Sequence, residues 1–347
     1  MPRSLLMLVV IAAAPLGIVA AVADPFDFLQ PTVIISPGER QDLDRGHPIS
    51  RIVPGRNRQV AVLAAVSTRV GADRLVAWTR QVDQLKKSRY VEATVRFSDP
   101  PRIEDLAQLI LDDDDLADIR RCRPGRCALK LASGEMAELR LVADEAGPRW
   151  KTALQEAFRR VVLRRVHTYL AGGHAALPPL EDDGGPTPLD QAFARLMRQS
   201  VFLTRSLPSF ADYLERFPRS PVGQVESFVY WSKERLARKA LVSAVHVGII
   251  RHEDPALPDV VIAGKGIFAT RHLTASLGIT SLVRGEDGRR YIVYLNRSEV
   301  DALGGFQGGL VRLFVERRLR GEADDVLDGV RLRIEGGEPS PAVGAKR

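Results

Sequence analysis

The sequence predicts an α+β protein, in which one antiparallel sheet is closed by a long C-terminal helix and interrupted by a helical insert. Three observations carry this. A dense apolar run from Gln59 to Arg69 and alternating segments after Pro221 have strand character. Between Ile103 and Pro218 the apolar residues recur every three or four positions, which is the helical period. The same period returns from Phe306 to Glu335 and places Leu310, Leu313, Phe314, Ala323, Val326, Leu327, Val330 and Ile334 on one stripe.

The elements follow in chain order. Residues 1–23 have the three zones of a secretory signal peptide: Arg3 in a short basic start, an apolar run from Leu5 to Val22, and Ala21-Val22-Ala23 as the cleavage site. Pro15 and Gly17 within the run favour cleavage over an uncut membrane anchor. The expected mature protein therefore starts at Asp24 and works in the periplasm or outside the cell. Residues 24–58, rich in Pro, Gly and charge, read as an extended lead-in.

In the run Gln59–Arg69 both alternating sets are apolar, so the strand should be covered on two sides. Asp73 is placed to cap a helix from Arg74 to about Lys87, followed by a strand from Tyr90 to Phe97 that ends at Pro100-Pro101. Residues 103–220 form the helical insert, with helical stretches from Glu135 to Leu170 and from Leu189 to Phe217 separated by a Pro/Gly-rich loop. Beyond Pro221, strands are expected at Ser227–Lys233, Ala240–Arg251, Val260–Ile262, Gly266–Arg284 and Arg290–Leu295, with a turn at Gly285–Gly288. Short connections make these neighbours antiparallel. Residues 337–347 read as a disordered tail.

Cys122 and Cys127 flank Pro124-Gly125, a turn signal that brings them within reach of each other. In an exported chain such a pair forms a structural disulfide. Redox pairs favour the tighter Cys-x-x-Cys spacing, and a zinc site would need a second Cys or His pair.

The formal net charge is +7, with the charges of both signs interspersed, and aromatics make up 6% of residues. Neither feature suits nucleic acid, which calls for a basic face and stacking rings. Arg159, Arg160, Arg164 and Arg165 surround an apolar stripe and are compatible with peripheral contact to an anionic membrane, or with a solvated helix face.

Motifs for nucleophilic or metal chemistry are absent from the sequence: there is no Gly-x-Ser-x-Gly, no His-Glu-x-x-His and no phosphate loop around Gly264-Lys265-Gly266. Those glycines mark a bulge or bend in a strand. The run Asp112–Asp115 lacks the alternation of a calcium loop and fits a helix N-terminus. No metal or cofactor is expected. His246 and His252 are six apart and share a strand face with each other, and His272 falls in the next strand. In the run Phe228–Glu234, Phe228, Tyr230 and Ser232 face one way and Val229, Trp231 and Lys233 the other.

The order strand, helix, antiparallel strands, long closing helix is that of the helix-grip fold. Through Val60–Leu85, including Gly71-Ala72-Asp73-Arg74-Leu75-Val76-Ala77-Trp78, and through Tyr291–Arg333, including Gly304–Gly309 and Leu310–Arg318, the chain resembles the START and polyketide-cyclase-like superfamily. The resemblance covers residues 59–102 and 221–336. It implies a cavity between sheet and C-terminal helix that binds an apolar small molecule or lipid, with Phe228, Tyr230, His246, His272 and Phe314 as candidate lining residues. It leaves open a cyclase- or hydrolase-like enzyme using the same cavity, and an envelope interaction module whose core is filled. The chain also looks like exported bacterial proteins without an assigned activity.

Overall fold

The computed structural model describes residues 24–55, 58–182, 185–220, 224–235, 239–285, 288–304, 327 and 329–337. Residues 1–23, read above as a signal peptide, Phe314, most of the expected closing helix and residues 338–347 of the expected tail lie outside these residues.

The lead-in is less extended than its composition suggests. It holds the helix α1 (Pro37–Asp44), opened by a capping box in which Ser36 and Glu39 satisfy each other's backbone amides, and a strand, β1 (Ile49–Val53). Then come β2 (Gln59–Thr68), α2 (Ala72–Arg80), α3 (Val82–Leu85) and β3 (Val91–Arg96). The helix expected over 74–87 is broken at Gln81, whose backbone leaves the helical region (φ −103°, ψ 57°), and it starts at the N-cap Gly71 rather than Asp73.

The insert comprises α4 (Asp113–Arg121), α5 (Ser133–Glu145), α6 (Trp150–Gly172), a small hairpin of β4 (Leu180–Asp182) and β5 (Gly185–Thr187), then α7 (Leu189–Gln199), α8 (Val201–Ser206) and α9 (Pro208–Arg216). The first helical stretch divides at Gly147-Pro148, where Gly147 takes φ +54°. The chain then runs through β6 (Glu226–Glu234), β7 (Leu241–Arg251), β8 (Val260–Ala269), β9 (Leu273–Arg284) and β10 (Arg290–Val300). The segment read as one strand from Gly266 to Arg284 is the end of β8, a turn and β9. The chain reverses without Gly or Pro because His272 itself adopts φ +63°.

All eight long strands form one antiparallel sheet in the order β1-β2-β10-β9-β8-β7-β6-β3. Because β3 and β6 are neighbours, the insert leaves and re-enters at one edge. The bulge anticipated near Gly266 is present: Ala244 pairs with Phe268 and Val245 with Gly266, so Ile267 is the extra residue.

The two faces of the sheet are covered by different parts of the chain. On the outer face Ala61, Leu63 and Ala65 of β2, Val293 and Leu295 of β10 and Leu277 and Ile279 of β9 pack against the lead-in and α7–α9. Toward β6, Val229 and Trp231 pack against α4–α6. On the inner face Ala64, Val66, Val247, Ile249, Val260, Ile262, Leu282 and Ile292 meet Leu75, Val76 and Trp78 of α2 together with Leu327 and Ile334. Leu327 and residues 329–336 are helical. The apolar alternation within β2 is thus used twice, as its two-sided pattern requires.

Cys122 and Cys127 are disulfide-bonded, with Cα atoms 4.4 Å apart. Gly125, at φ +70°, turns the loop between them, and Arg123 and Arg126 exchange backbone hydrogen bonds. Among the described residues no helix is long and apolar enough to cross a membrane.

Candidate functional site

Two places gather chemistry-bearing side chains, one on each face of the sheet. The inner face is closed at one end by α2 and the stretch around Leu327 and Ile334, but its centre remains half-exposed. There Gly264 of β8 lies directly opposite Gly278 of β9, Ser276 is the next inward residue of β9, and Asn296 of β10 pairs with Gly278. Glycines and serines on adjacent strands leave a shallow depression in a surface that elsewhere carries Val, Ile and Leu. A Cβ at Gly264 would meet Val245 Cγ1 at 3.5 Å and the Gly278 carbonyl oxygen at 3.9 Å, both ordinary contacts. One at Gly278 would touch Tyr294 and Asn296 at 3.4 Å.

Tyr230 and Tyr294 stand at the edge of this depression with a charged pair, Lys86 and Glu234, whose Nζ and Oε1 are 2.8 Å apart. Ser232 donates to Glu234 at 2.6 Å, and its oxygen lies 3.3 Å from that of Ser243. Burial pushes both tyrosines above their ordinary range, so their hydroxyls are neutral donors. Burial also works against both charges of the pair, yet Glu234 keeps Lys86 raised and Lys86 keeps Glu234 lowered. The pair is therefore ionised at neutral pH. Phe228 lies further along β6 on the same face, under the guanidinium of Arg96 at 4.3 Å from the ring centre.

The second cluster is on the outer face, beneath α6, α7 and α9. His246 of β7 is 1% exposed, with Tyr169 Oη 2.9 Å from Nδ1 and Tyr213 Oη 3.2 Å from Nε2. One tyrosine donates to the neutral ring and the other accepts from it. Burial first, then the charge of Lys265, pushes His246 down to about 3. Lys265 is itself fully buried and is lowered to about 7 by desolvation. It donates to the Leu214 carbonyl at 2.6 Å, one of the last carbonyls of α9, and its Nζ lies over the Phe193 ring at 4.4 Å. The Nε2–H of His174 donates to the Gly266 carbonyl at 3.0 Å. These groups hold helices onto the sheet, and the packing of Phe193, Phe217, Tyr169 and Tyr213 encloses them.

The structure divides the candidate lining residues. Phe228 and Tyr230 share the inner face, whereas His246 points to the outer one, since Tyr230 pairs with Val245 and Val229 with His246. His272 is exposed in the turn between β8 and β9 rather than in a strand, and Phe314 lies outside the described residues. No protein-family model matches the chain, and no curated protein does.

Sequence reasoning missed Lys86, Glu234, Tyr294 and Gly278 at the inner site. Their signal is the pairing of Gly264 with Gly278 across one hairpin, which becomes visible only when the register is known. The other charged runs are absorbed by the fold. Asp112 sits at the N-cap position of α4 but spends its carboxylate on Lys233 (2.6 Å) and Arg235 (2.7 Å), and Asp115 binds Arg271 at 2.7 Å. Of the arginines of α6, Arg165 forms a buried bidentate pair with Glu135, Arg164 binds Glu138, and Arg159 donates to the carbonyls of Leu109 and Ala107. Those three serve contacts within the chain.

Proposed function

We propose that the chain is an exported helix-grip protein, similar to the START and polyketide-cyclase-like superfamily, which holds a small amphipathic molecule against the inner face of its sheet. The observation that carries this reading is the half-exposed depression of Gly264, Gly278, Ser276 and Asn296, flanked by Phe228, Tyr230 and Tyr294. Glycines in mid-strand forgo side-chain packing and weaken a sheet, so their clustering across two strands suits a site where something else fills the space. The strand order from β2 through β10 to β3, with α2 and α3 following β2, supports the same architecture; β1 and the insert are additions to it. The disulfide supports residence in an oxidising compartment.

The apolar body of the ligand rests on Val245, the glycines and Phe228, while its polar head meets the Tyr230 and Tyr294 hydroxyls beside the Lys86–Glu234 pair. The binding is non-covalent. The test is mass spectrometry of molecules extracted from the purified protein, together with titration of a fluorescent fatty-acid analogue. Gly264→Leu, which projects a side chain into the depression from ordinary strand backbone, should abolish retention and probe binding and leave the fold intact. A wild-type protein that carries nothing and takes up no probe would end the proposal.

A further inference from the structure

A second cleft lies on the outer face, at the end of the sheet where β2 begins and β10 finishes. It has a volume of about 870 Å³ and is walled by Thr32 of the lead-in, by Arg195 and Arg198 of α7, and by Arg58, with Arg297 of β10 at its floor. Arg297 is 3% exposed. Its strand neighbours are Ala61 and Leu277, neither of which can compensate a charge. Among the described residues its guanidinium has one polar contact, Nη1 to Gln199 Oε1 at 3.2 Å, and Nε has no partner. Desolvation lowers its pKa, and no carboxylate among the described residues opposes that effect.

The acidic residue that lines the cleft is already committed. Glu299 is bound through both oxygens by Arg195, with Nε to Oε2 at 3.1 Å and Nη2 to Oε1 at 2.9 Å. Arg58 contacts Asp301 at 3.0 Å, but its Nε is also without a partner. Arg198 stands exposed at the rim. A buried guanidinium without a counter-charge costs folding energy, which an apolar residue of the same size would not. Its presence inside a cleft is accounted for when the missing counter-charge is a ligand.

The geometry points to a binding site for a tetrahedral oxyanion, a phosphoryl or sulfuryl group carried by a small molecule, with Arg297 as its buried anchor and Arg198 and Arg58 on its open side. Guanidinium groups arriving from the sheet floor, a helix wall and the strand edge present donors in more than one plane. Such a set suits a tetrahedral group better than a flat carboxylate. The site is separate from the inner-face depression and does not depend on that reading.

Inorganic phosphate, sulfate and acetate at matched ionic strength are the probes, read by calorimetric titration and by the thermal midpoint. Phosphate and sulfate should bind and raise the midpoint, and acetate should do so much less. Arg297→Met should lose at least about ten-fold in phosphate affinity. Without phosphate it should be no less stable than the wild type, which a purely structural Arg297 would not allow. Arg198→Ala, at an exposed position, keeps the test decisive if the first variant folds poorly; it should melt like the wild type and bind phosphate several-fold more weakly. No phosphate binding by the wild type, or equal binding by wild type and Arg198→Ala, would overturn the assignment. Equal binding of acetate and phosphate would overturn its tetrahedral character.

Discussion

The two faces of the sheet are made by alternate residues of the same strands, yet they are used in opposite ways. On the outer side are the residues usually sought in an active site: His246 and Lys265 of the sheet meet His174, Tyr169 and Tyr213 of the insert, and all five are buried where the two pack together. The inner face carries glycine and serine at its centre, where Gly264, Ser276, Gly278 and Tyr294 are only partly buried. The difference teaches that residue type is a poor guide to chemistry when access is ignored. The reactive set acts as mortar, and the bland set provides the surface on which a ligand can rest.

This contrast can be broken by substitution. Phe193 is 1% exposed and packs on His174 and Lys265, so Phe193→Ala should cost about 3–5 kcal/mol by urea denaturation. A loss below about 1 kcal/mol would mean that the outer face is not the closed core described above.

Proton linkage gives a second, somewhat smaller effect. The pKa of Lys265 is lowered from 10.5 to about 7, so between these values the unfolded chain binds more protons and stability must rise with pH. Across that window the contribution is a few kcal/mol, and Lys265→Met should flatten it. His246, lowered from 6.5 to about 3, acts in the same direction at lower pH: stability should fall as the pH drops from 6.5 toward 3, and His246→Gln should remove this part of the slope. Urea midpoints measured across pH would reveal both; a flat wild-type profile would show that water reaches the cluster.

Replacing both Cys122 and Cys127 by Ser should cost about 2 kcal/mol through the freed loop, read as a lower thermal midpoint. The smallest effect is expected at the open centre. Thr280→Ala, at a half-exposed inner position, should stay within about 0.5 kcal/mol of the wild type. A core-sized loss there would show that the depression is filled by protein.

Much of the fold was legible because it rests on periodicity. The two-sided apolar pattern of Val60 to Val66 announced a strand covered on both faces, and the change of period at Ile103 announced the insert. What was lost has local causes. The last residues of β10, Asn296 to Glu299, look like a loop by composition, but they pair with both β2 and β9. The turn at His272 was hidden because no glycine marks its positive φ. The position of His246 on the outer face depends on register, to which a lone histidine in a sequence gives no clue. Arg58, Arg195, Arg198 and Arg297 come from three distant segments and meet only in the folded chain.

The pairing of β2 with β10 has a kinetic consequence. It joins Gln59 to Glu299, so β2 emerges in synthesis well before its partner. Contacts so far apart in sequence carry a large loop-closure cost and slow the search for the native state. Until β10 arrives, β2 and β9 each present an unsatisfied row of amides and carbonyls, the condition in which strands recruit wrong neighbours. Chains cut short before Arg290 would hold that condition permanently, and their fate would be aggregation rather than a smaller version of the same protein.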